Sequence, residues 1–320
     1  MTSTYTIGVD LGGTNIKGGV CDAAHQLLSQ HTLPTEAPGG FEHVLGRMAQ
    51  LVDELVERSG MPRDAFDAIG VGAPGPLSHA RGIIHAAPNL PGFVDAPLRD
   101  RFSERTGLRV ALENDANAAA YGEFVAGAAS DARSMVMLTL GTGVGGGVVL
   151  DGELWRGPFD NAGEVGHMII EPGGRPCPCG QRGCLERYAS ANAVAERLAE
   201  AAAGGEVCAL GSKVARGEAF DARDVLAARA DGDALARRIW DETCRYLALC
   251  MVNLQHLLNP EVIVLAGGLI NAGDVLLSGV RSHFQTESWK IAPDHPDIRL
   301  ATLGTNAGTI GAAALAHREA

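Results

Sequence analysis

Basic residues are in short supply in this chain: 26 lysines and arginines stand against 38 aspartates and glutamates among 320 residues, a formal net charge of −12. That balance argues against a general nucleic-acid or membrane-surface binder, because both partners are anionic. It still allows nucleotides, which a small local site can hold. A secretory leader is also lacking, since "MTSTYTIGVD" has no basic segment followed by an apolar core. Long apolar runs are lacking too. The most apolar helix-like stretch, Tyr246–Leu258, is too short to span a bilayer and is interrupted by Asn253, Gln255 and His256. No low-complexity tail or disordered linker stands out. We therefore expect a cytoplasmic globular protein. Its 46% hydrophobic and 20% charged residues suit a real core, and its length suggests about two domains.

The seven cysteines are an odd number. In a reducing compartment they read as free thiols or metal ligands rather than disulfides. Cys21, Cys208, Cys244 and Cys250 are scattered and suit small core positions. Cys177, Cys179 and Cys184 are not scattered.

Glycine supplies the punctuation. Strand Tyr5–Asp10, a break at "LGGTN" and a resumed strand "IKGGV" predict a hairpin. "QLLSQHTL" predicts a third strand. Val44, Leu45, Met48, Leu51, Val52, Leu55 and Val56 form the stripe of an amphipathic helix. Strand "DAIGVG", helix "PLRDRFSERTG", strand "LRVALE" and a helix from Asp115 to Gly127 follow. Then the order restarts with strand "SMVMLTL", turn "GTGVGG" and return strand "GVVLDG". Helices are expected near Tyr188–Ala203, Ala222–Ala230, Ala234–Leu258, Asp274–Glu287 and Ala307–Arg318. Strands are expected at "EVIVLAG" and "DIRLATL". At an offset of 129, Leu11, Gly12, Gly18 and Val20 fall on Leu140, Gly141, Gly147 and Val149. Two related α/β halves would leave a cleft, where ligands favour binding.

The turns "DLGGTNIKGG" and "LGTGVGGG" place small residues and a threonine at hairpin tips. Without Cβ atoms, successive backbone N–H groups can approach a phosphate closely. Gly12, Gly13, Thr14, Gly141, Thr142 and Gly143 are the candidate contacts. A tight hairpin that needs glycine only for its backbone angles is the alternative for either turn alone. Gly141, Gly143 and Gly146 match G-x-G-x-x-G in form, but a strand follows instead of a helix, which excludes the dinucleotide fingerprint. No P-loop motif occurs at either turn. Asp10 could hold Mg²⁺ against nucleotide phosphates or cap its turn. Lys17 could contact phosphate or be a solvated hairpin lysine. Gly267 and Gly268, after "EVIVL", could let an adenosine lie flat on backbone or simply turn the chain.

Asp115 stands where a strand ends and a helix starts. A carboxylate there can accept a hydroxyl proton in phosphoryl transfer, and Asn114 can fix a hydroxyl. Helix capping serves equally well for both residue types. His167 with Cys177-x-Cys179-x₄-Cys184 makes a closed Cys₃His set within eighteen residues, which suits structural Zn²⁺. C-x-C lacks the redox C-x-x-C frame. Glu164 and Glu186 flank these ligands, so a pinned loop would pin both carboxylates, as a polyhydroxylated ligand needs. The metal would then pre-organise a sugar site rather than catalyse.

These segments together resemble the ROK family (repressors, open reading frames, sugar kinases), and within it the glucokinase-like members. "DLGGTNIKGGV" and "LTLGTGVGGGVVLDG" resemble its two phosphate segments and "ENDANAAAYGE" its catalytic segment. "GEVGHM" with "CPCGQRGCLE" resembles its sugar and zinc signature, and "GAPGPL" and "PNLPGF" match segments lining the sugar cleft, Gly75 among them. The resemblance implies an actin-like ATPase fold, two RNase H-like α/β domains with a cleft between them: residues 1–118 joined by a returning helix 306–320, and 119–305 with a zinc loop at 167–184. It implies ATP-dependent phosphorylation of the glucose 6-hydroxyl, with Asp115 as base and Mg²⁺ accompanying ATP. Asn114, Glu164, His167 and Glu186 would contact sugar hydroxyls. His167 would use its second ring nitrogen for zinc, beside Cys177, Cys179 and Cys184. A homodimer is implied as well. N-acetylmannosamine, N-acetylglucosamine and fructose kinases share these residues. A sugar-responsive repressor would carry a helix-turn-helix before the first strand, for which no room is expected.

Overall fold

The structure, a computed structural model, describes residues 5–319. The chain opens with the expected hairpin, β1 (Tyr5–Leu11) and β2 (Asn15–Cys21), followed by β3 (Leu27–Pro34). Both hairpin strands are largely buried, whereas β3 alternates between half-buried and exposed residues, as an edge strand with one wet face must. Helix α1 (Gly40–Ser59) buries Val44, Leu45, Met48, Leu51, Val52 and Leu55; Gly60, at φ 67°, ends it by donating its N–H to the Glu57 carbonyl. After β4 (Phe66–Ala73) come β5 (Leu77–Ser78), β6 (Ile83–Ala86) and β7 (Val94–Ala96), a small antiparallel sheet with no periodic signal in the sequence. Then follow α2 (Leu98–Thr106), β8 (Arg109–Asn114) and α3 (Asp115–Ala126).

The second run consists of β9 (Met135–Leu140), β10 (Val144–Leu150) and β11 (Glu153–Leu154), then α4 (Glu186–Ala189), α5 (Ala191–Ala203), α6 (Gly211–Arg216), α7 (Ala222–Ala230) and α8 (Ala234–Leu258). It closes with β12 (Val262–Ala266), α9 (Asp274–Glu287), β13 (Asp297–Leu300) and α10 (Ala307–Arg318). The single helix expected over Tyr188–Ala203 is two. Ser190 takes an extended backbone, and its hydroxyl accepts the Ala193 N–H at 3.1 Å to cap α5.

The two large sheets run β3-β2-β1-β4-β8 and β11-β10-β9-β12-β13. Each has its opening hairpin and third strand on one side. Each has two parallel strands on the other, β4 and β8 in the first, β12 and β13 in the second. The repetition that the glycine alignment suggests is therefore one of topology. Among the described residues, no helix is long and apolar enough to cross a membrane.

The chain divides into two compact units. One combines the segment ending at Arg133 with Gly147–Gly163 and the segment from Thr302 onward; the other combines Ser134–Gly146 with Glu164–Ala301. In this division α3 falls with α10 in the first unit, and packing explains why. Helices α3 and α10 meet backbone to backbone: a Cβ on Gly311 would overlap the Ala118 carbonyl oxygen, and one on Gly122 the Ala307 carbonyl oxygen. On the sheet side, Gly8 and Gly70 lie equally tight against the carbonyls of Thr309 and Ala312. Glu123 of α3, 0% exposed, accepts the backbone N–H groups of Ala128 (2.8 Å), Thr302 (3.0 Å) and Leu303 (2.8 Å). A buried carboxylate needs such a set of donors, and here it ties the approach to α10 onto α3.

Candidate active site and metal centre

The first unit carries Asp115 at a strand-to-helix corner. Asn114 ends β8 in extended backbone and caps α3: its Oδ1 accepts the N–H groups of Ala116 (2.9 Å) and Asn117 (3.2 Å). The capping alternative thus holds for Asn114, whose side-chain oxygen is engaged in both bonds. Asp115 is exposed at the first helical position, and its Oδ1 accepts the Ala116 N–H at 2.8 Å. Behind this corner lies a carboxylate that is not among the sequence-predicted site residues, Glu113, which is 3% exposed. Its one signal in the sequence is an acid directly after the apolar run Val110–Leu112.

The first glycine turn is held from one side. Thr35 donates its hydroxyl to the Gly12 carbonyl (2.6 Å) and its N–H to the Thr14 carbonyl (2.9 Å). A Cβ on Gly13 would come within 2.9 Å of the Asn89 Cβ. Asp10 pairs in register with Lys17. Burial pushes the Asp10 carboxyl above its usual range, and the Lys17 charge partly offsets this. Such an acid gains from a nearby cation, which fits a place for Mg²⁺. Lys17 also lines a polar cavity of about 440 Å³ with Gln30, Asn306 and Thr309. Gly75, at φ 91°, passes so close to the Ala86 carbonyl that no side chain fits.

In the second unit, the turn at Gly141–Gly143 is closed by the Gly141 N–H on the Gly143 carbonyl at 2.9 Å. The exposed Thr142 forms its tip. The Glu186 carboxylate accepts the next N–H, that of Val144, at 3.0 Å. A Cβ on Gly143 would overlap that carboxylate, and a Cβ on Gly166 would overlap the Val144 carbonyl. Gly166 belongs to the 3₁₀ turn Val165–His167, which Glu164 precedes. The glycine turn, the His167 turn and the start of α4 therefore converge on Val144. Gly267, at φ 86°, packs against the Leu140 backbone, whereas Gly268 faces open space. The step after β12 is a 3₁₀ turn, Gly268–Ala272, and α9 starts only at Asp274.

His167, Cys177, Cys179 and Cys184 bring their ligand atoms within 4.8 Å of one another. The Cys177 Sγ lies 3.8 Å from the His167 Nδ1, and the Cys179 and Cys184 Sγ atoms lie 3.7 Å apart. A tetrahedron with metal–sulfur bonds of about 2.3 Å has edges of about 3.8 Å, so the spacing fits a four-coordinate ion. Because Nδ1 faces the thiols, the other ring nitrogen of His167 is left for a different partner. Gly183, at φ 84°, lies against the Glu171 carbonyl where no side chain fits, and the Cys177 N–H reaches the Gln181 carbonyl at 2.9 Å. Burial pushes the Cys184 thiol up to about 12, whereas the backbone at Gln181 lowers that of Cys179.

The structure gathers the sequence-predicted residues in two groups. Asp10, Gly12, Gly13, Thr14, Lys17, Gly75, Asn114 and Asp115 belong to the first unit, and Gly141–Gly143, Glu164, the four metal-ligand candidates, Glu186, Gly267 and Gly268 to the second.

Known proteins match along nearly the whole chain. The model of the ROK family matches residues 6–319. A glucokinase of Halalkalibacterium halodurans is 38% identical over 312 residues, 97% of this chain and 94% of that one. A ROK hexokinase from Thermus thermophilus superposes with a TM-score of 0.84 at 37% identity, covering 99% of both chains. A ROK family glucokinase from Streptomyces griseus, solved with glucose and AMPPNP, gives 0.78 at 33% identity over 98% of this chain and 99% of that one. The duplicated sheet topology is thus that of the actin-like ATPase fold. From the hairpin at Tyr5 to the end of α10, the chain belongs to the ROK family.

Proposed function

We propose that the protein is an ATP-dependent hexose kinase that phosphorylates the 6-hydroxyl of glucose. The observation that carries this reading is the Glu186 carboxylate on the Val144 N–H at 3.0 Å. It joins a phosphate-type glycine turn to the segment of the Cys₃His cluster, so one side chain serves both substrates. The relatives named glucokinase support the choice of sugar.

Asp115 accepts the proton of the 6-hydroxyl as that oxygen attacks the γ-phosphorus. Asn114 donates its amide to a neighbouring hydroxyl. Glu164, Glu186 and the second nitrogen of His167 accept or donate to the remaining hydroxyls, and Gly75 lets backbone approach the ring. The N–H groups of Gly13, Thr14, Thr142 and Gly143 face the phosphates, in turns that the Gly12 and Gly141 N–H groups close on the Asn15 and Gly143 carbonyls, with Lys17 nearby, and the Gly267–Gly268 backbone bears the adenosine. Mg²⁺, held at Asp10, neutralises phosphate charge when bound. Zn²⁺ at His167, Cys177, Cys179 and Cys184 keeps the sugar loop in one shape; four protein ligands leave no open position for catalysis. A cytoplasmic homodimer belongs to the same proposal.

The test is hexose-dependent ADP release over glucose, fructose, N-acetylglucosamine and N-acetylmannosamine. Glucose should lead in kcat/KM by about tenfold or more, a difference of about 1.4 kcal/mol in transition-state binding. Preference for an N-acetylated sugar would overturn glucose, and sugar binding without turnover would indicate a sensor.

A further inference from the structure

A carboxylate with 3% exposure at the end of a strand is costly unless its partners are fixed. Three groups hold Glu113. Its Oε1 accepts the Asn114 backbone N–H and the Asn117 Nδ2, each at 2.9 Å. Its Oε2 accepts the Arg156 Nε at 2.5 Å. A second nitrogen of Arg156 donates to the Glu319 Oε1 at 3.0 Å, and Glu319 lies 3.5 Å from the His79 Nε2. The His79 Nδ1 meets the carbonyl of Leu112, the residue before Glu113, at 3.0 Å. The contacts close a ring, from Leu112 through Glu113, Arg156, Glu319 and His79 back to Leu112. Every member belongs to the first unit.

The ring has a specific target. Glu113 binds the last residue of the strand, Asn114, and a residue of the first helical turn, Asn117, through one oxygen. Asp115 stands between those two. If the pair only filled space, an apolar pair of similar volume would serve as well or better, since burying charge brings little net stability. Resting on the kinase reading above, we propose that Glu113, charge-balanced by Arg156, is the positioning residue for the Asp115 base. It fixes the corner so that the Asp115 carboxylate meets the hydroxyl in one orientation. It touches no substrate itself.

Glu113→Gln keeps the volume but turns a donor towards Arg156. Its kcat should fall about 100-fold, the cost of roughly 1 Å of misplacement, while the Kd for glucose stays within about threefold. Amide hydrogen exchange at Asn114–Asn117 should accelerate about tenfold, with exchange elsewhere unchanged, as local opening predicts. Arg156→Lys keeps the charge without the fork and should show the same split in smaller measure; it decides the matter if the first variant does not fold. Wild-type kcat overturns the proposal. So does a parallel loss of glucose affinity and melting temperature with kcat per folded molecule retained. The exchange measurement needs no turnover: unchanged exchange at the corner defeats the brace whatever the enzyme does. A wild-type protein that releases no ADP with any hexose defeats the kinase reading instead, and leaves exchange to decide the brace.

Discussion

The Glu186 carboxylate accepts the Val144 N–H at 3.0 Å, in a space that only a glycine at position 143 leaves open. A single methyl group there tests whether the two ligand segments are one device. Gly143→Ala should push the carboxylate aside. The KM for ATP and the Kd for glucose should then each rise about tenfold, or about 1.4 kcal/mol. Steady-state kinetics and calorimetry check this; a change in one substrate alone would separate the segments.

Asp115→Asn keeps shape and removes the proton acceptor. We expect kcat to drop by about 10²–10⁴-fold, the usual share of a general base. The structure gives no reason for sugar affinity to follow, because Asn114, not Asp115, caps α3 with two bonds. Glucose titration of the inactive variant supplies the check.

Metal removal should act on sugar binding rather than on the fold as a whole. Purified protein should contain about one zinc per chain by elemental analysis, and Cys184→Ser should lose it together with glucose affinity. Acid should do the same, since ligation requires thiolates and protons compete with the metal for them. Full metal content in the variant would contradict the ligand set.

Asp10 gives a prediction with a sign. Burial raises its carboxyl pKa in the folded protein, so the native state binds more protons than the unfolded one as pH rises through the carboxylate range. Its contribution to stability is therefore most favourable below the unfolded pKa and is lost as pH rises through the raised folded value. Asp10→Asn, with no charge to bury, should melt higher than wild type at pH 8 and equally near pH 3, wherever Mg²⁺ is absent. Thermal melts at the two pH values read this directly, and activity should fall in the same variant. A lower melting point at pH 8 would contradict the burial argument.

What was legible in the chain follows from where the physics is local. The α1 stripe, the two hairpins and the helix from Asp115 are set by periodicity and glycine placement, and each appears as expected. The Cys₃His cluster was legible because its four residues lie close in sequence. The small sheet β5–β7 was not, because strands such as Leu77–Ser78 exist only through their pairing. Ser190 read as one more helical residue, since a cap inside a long apolar pattern carries no signal of its own. Arg156 and Glu319 look like surface charges; only the fold brings Arg156 to Glu113 across 43 residues and Glu319 to Arg156 across 163.

The bed of α10 bears on how the protein is made. Gly8 and Gly70 lie near the start of the chain, and the helix that fills the trough above them begins at Ala307. On the ribosome, the first sheet must wait, with that trough uncovered, until the chain from Gly70 to Ala307 has been translated. Contacts so distant in sequence form late and leave apolar surface open meanwhile. A nascent chain arrested before Ala307 should accordingly engage chaperones through β1 and β4, although both strands are already complete.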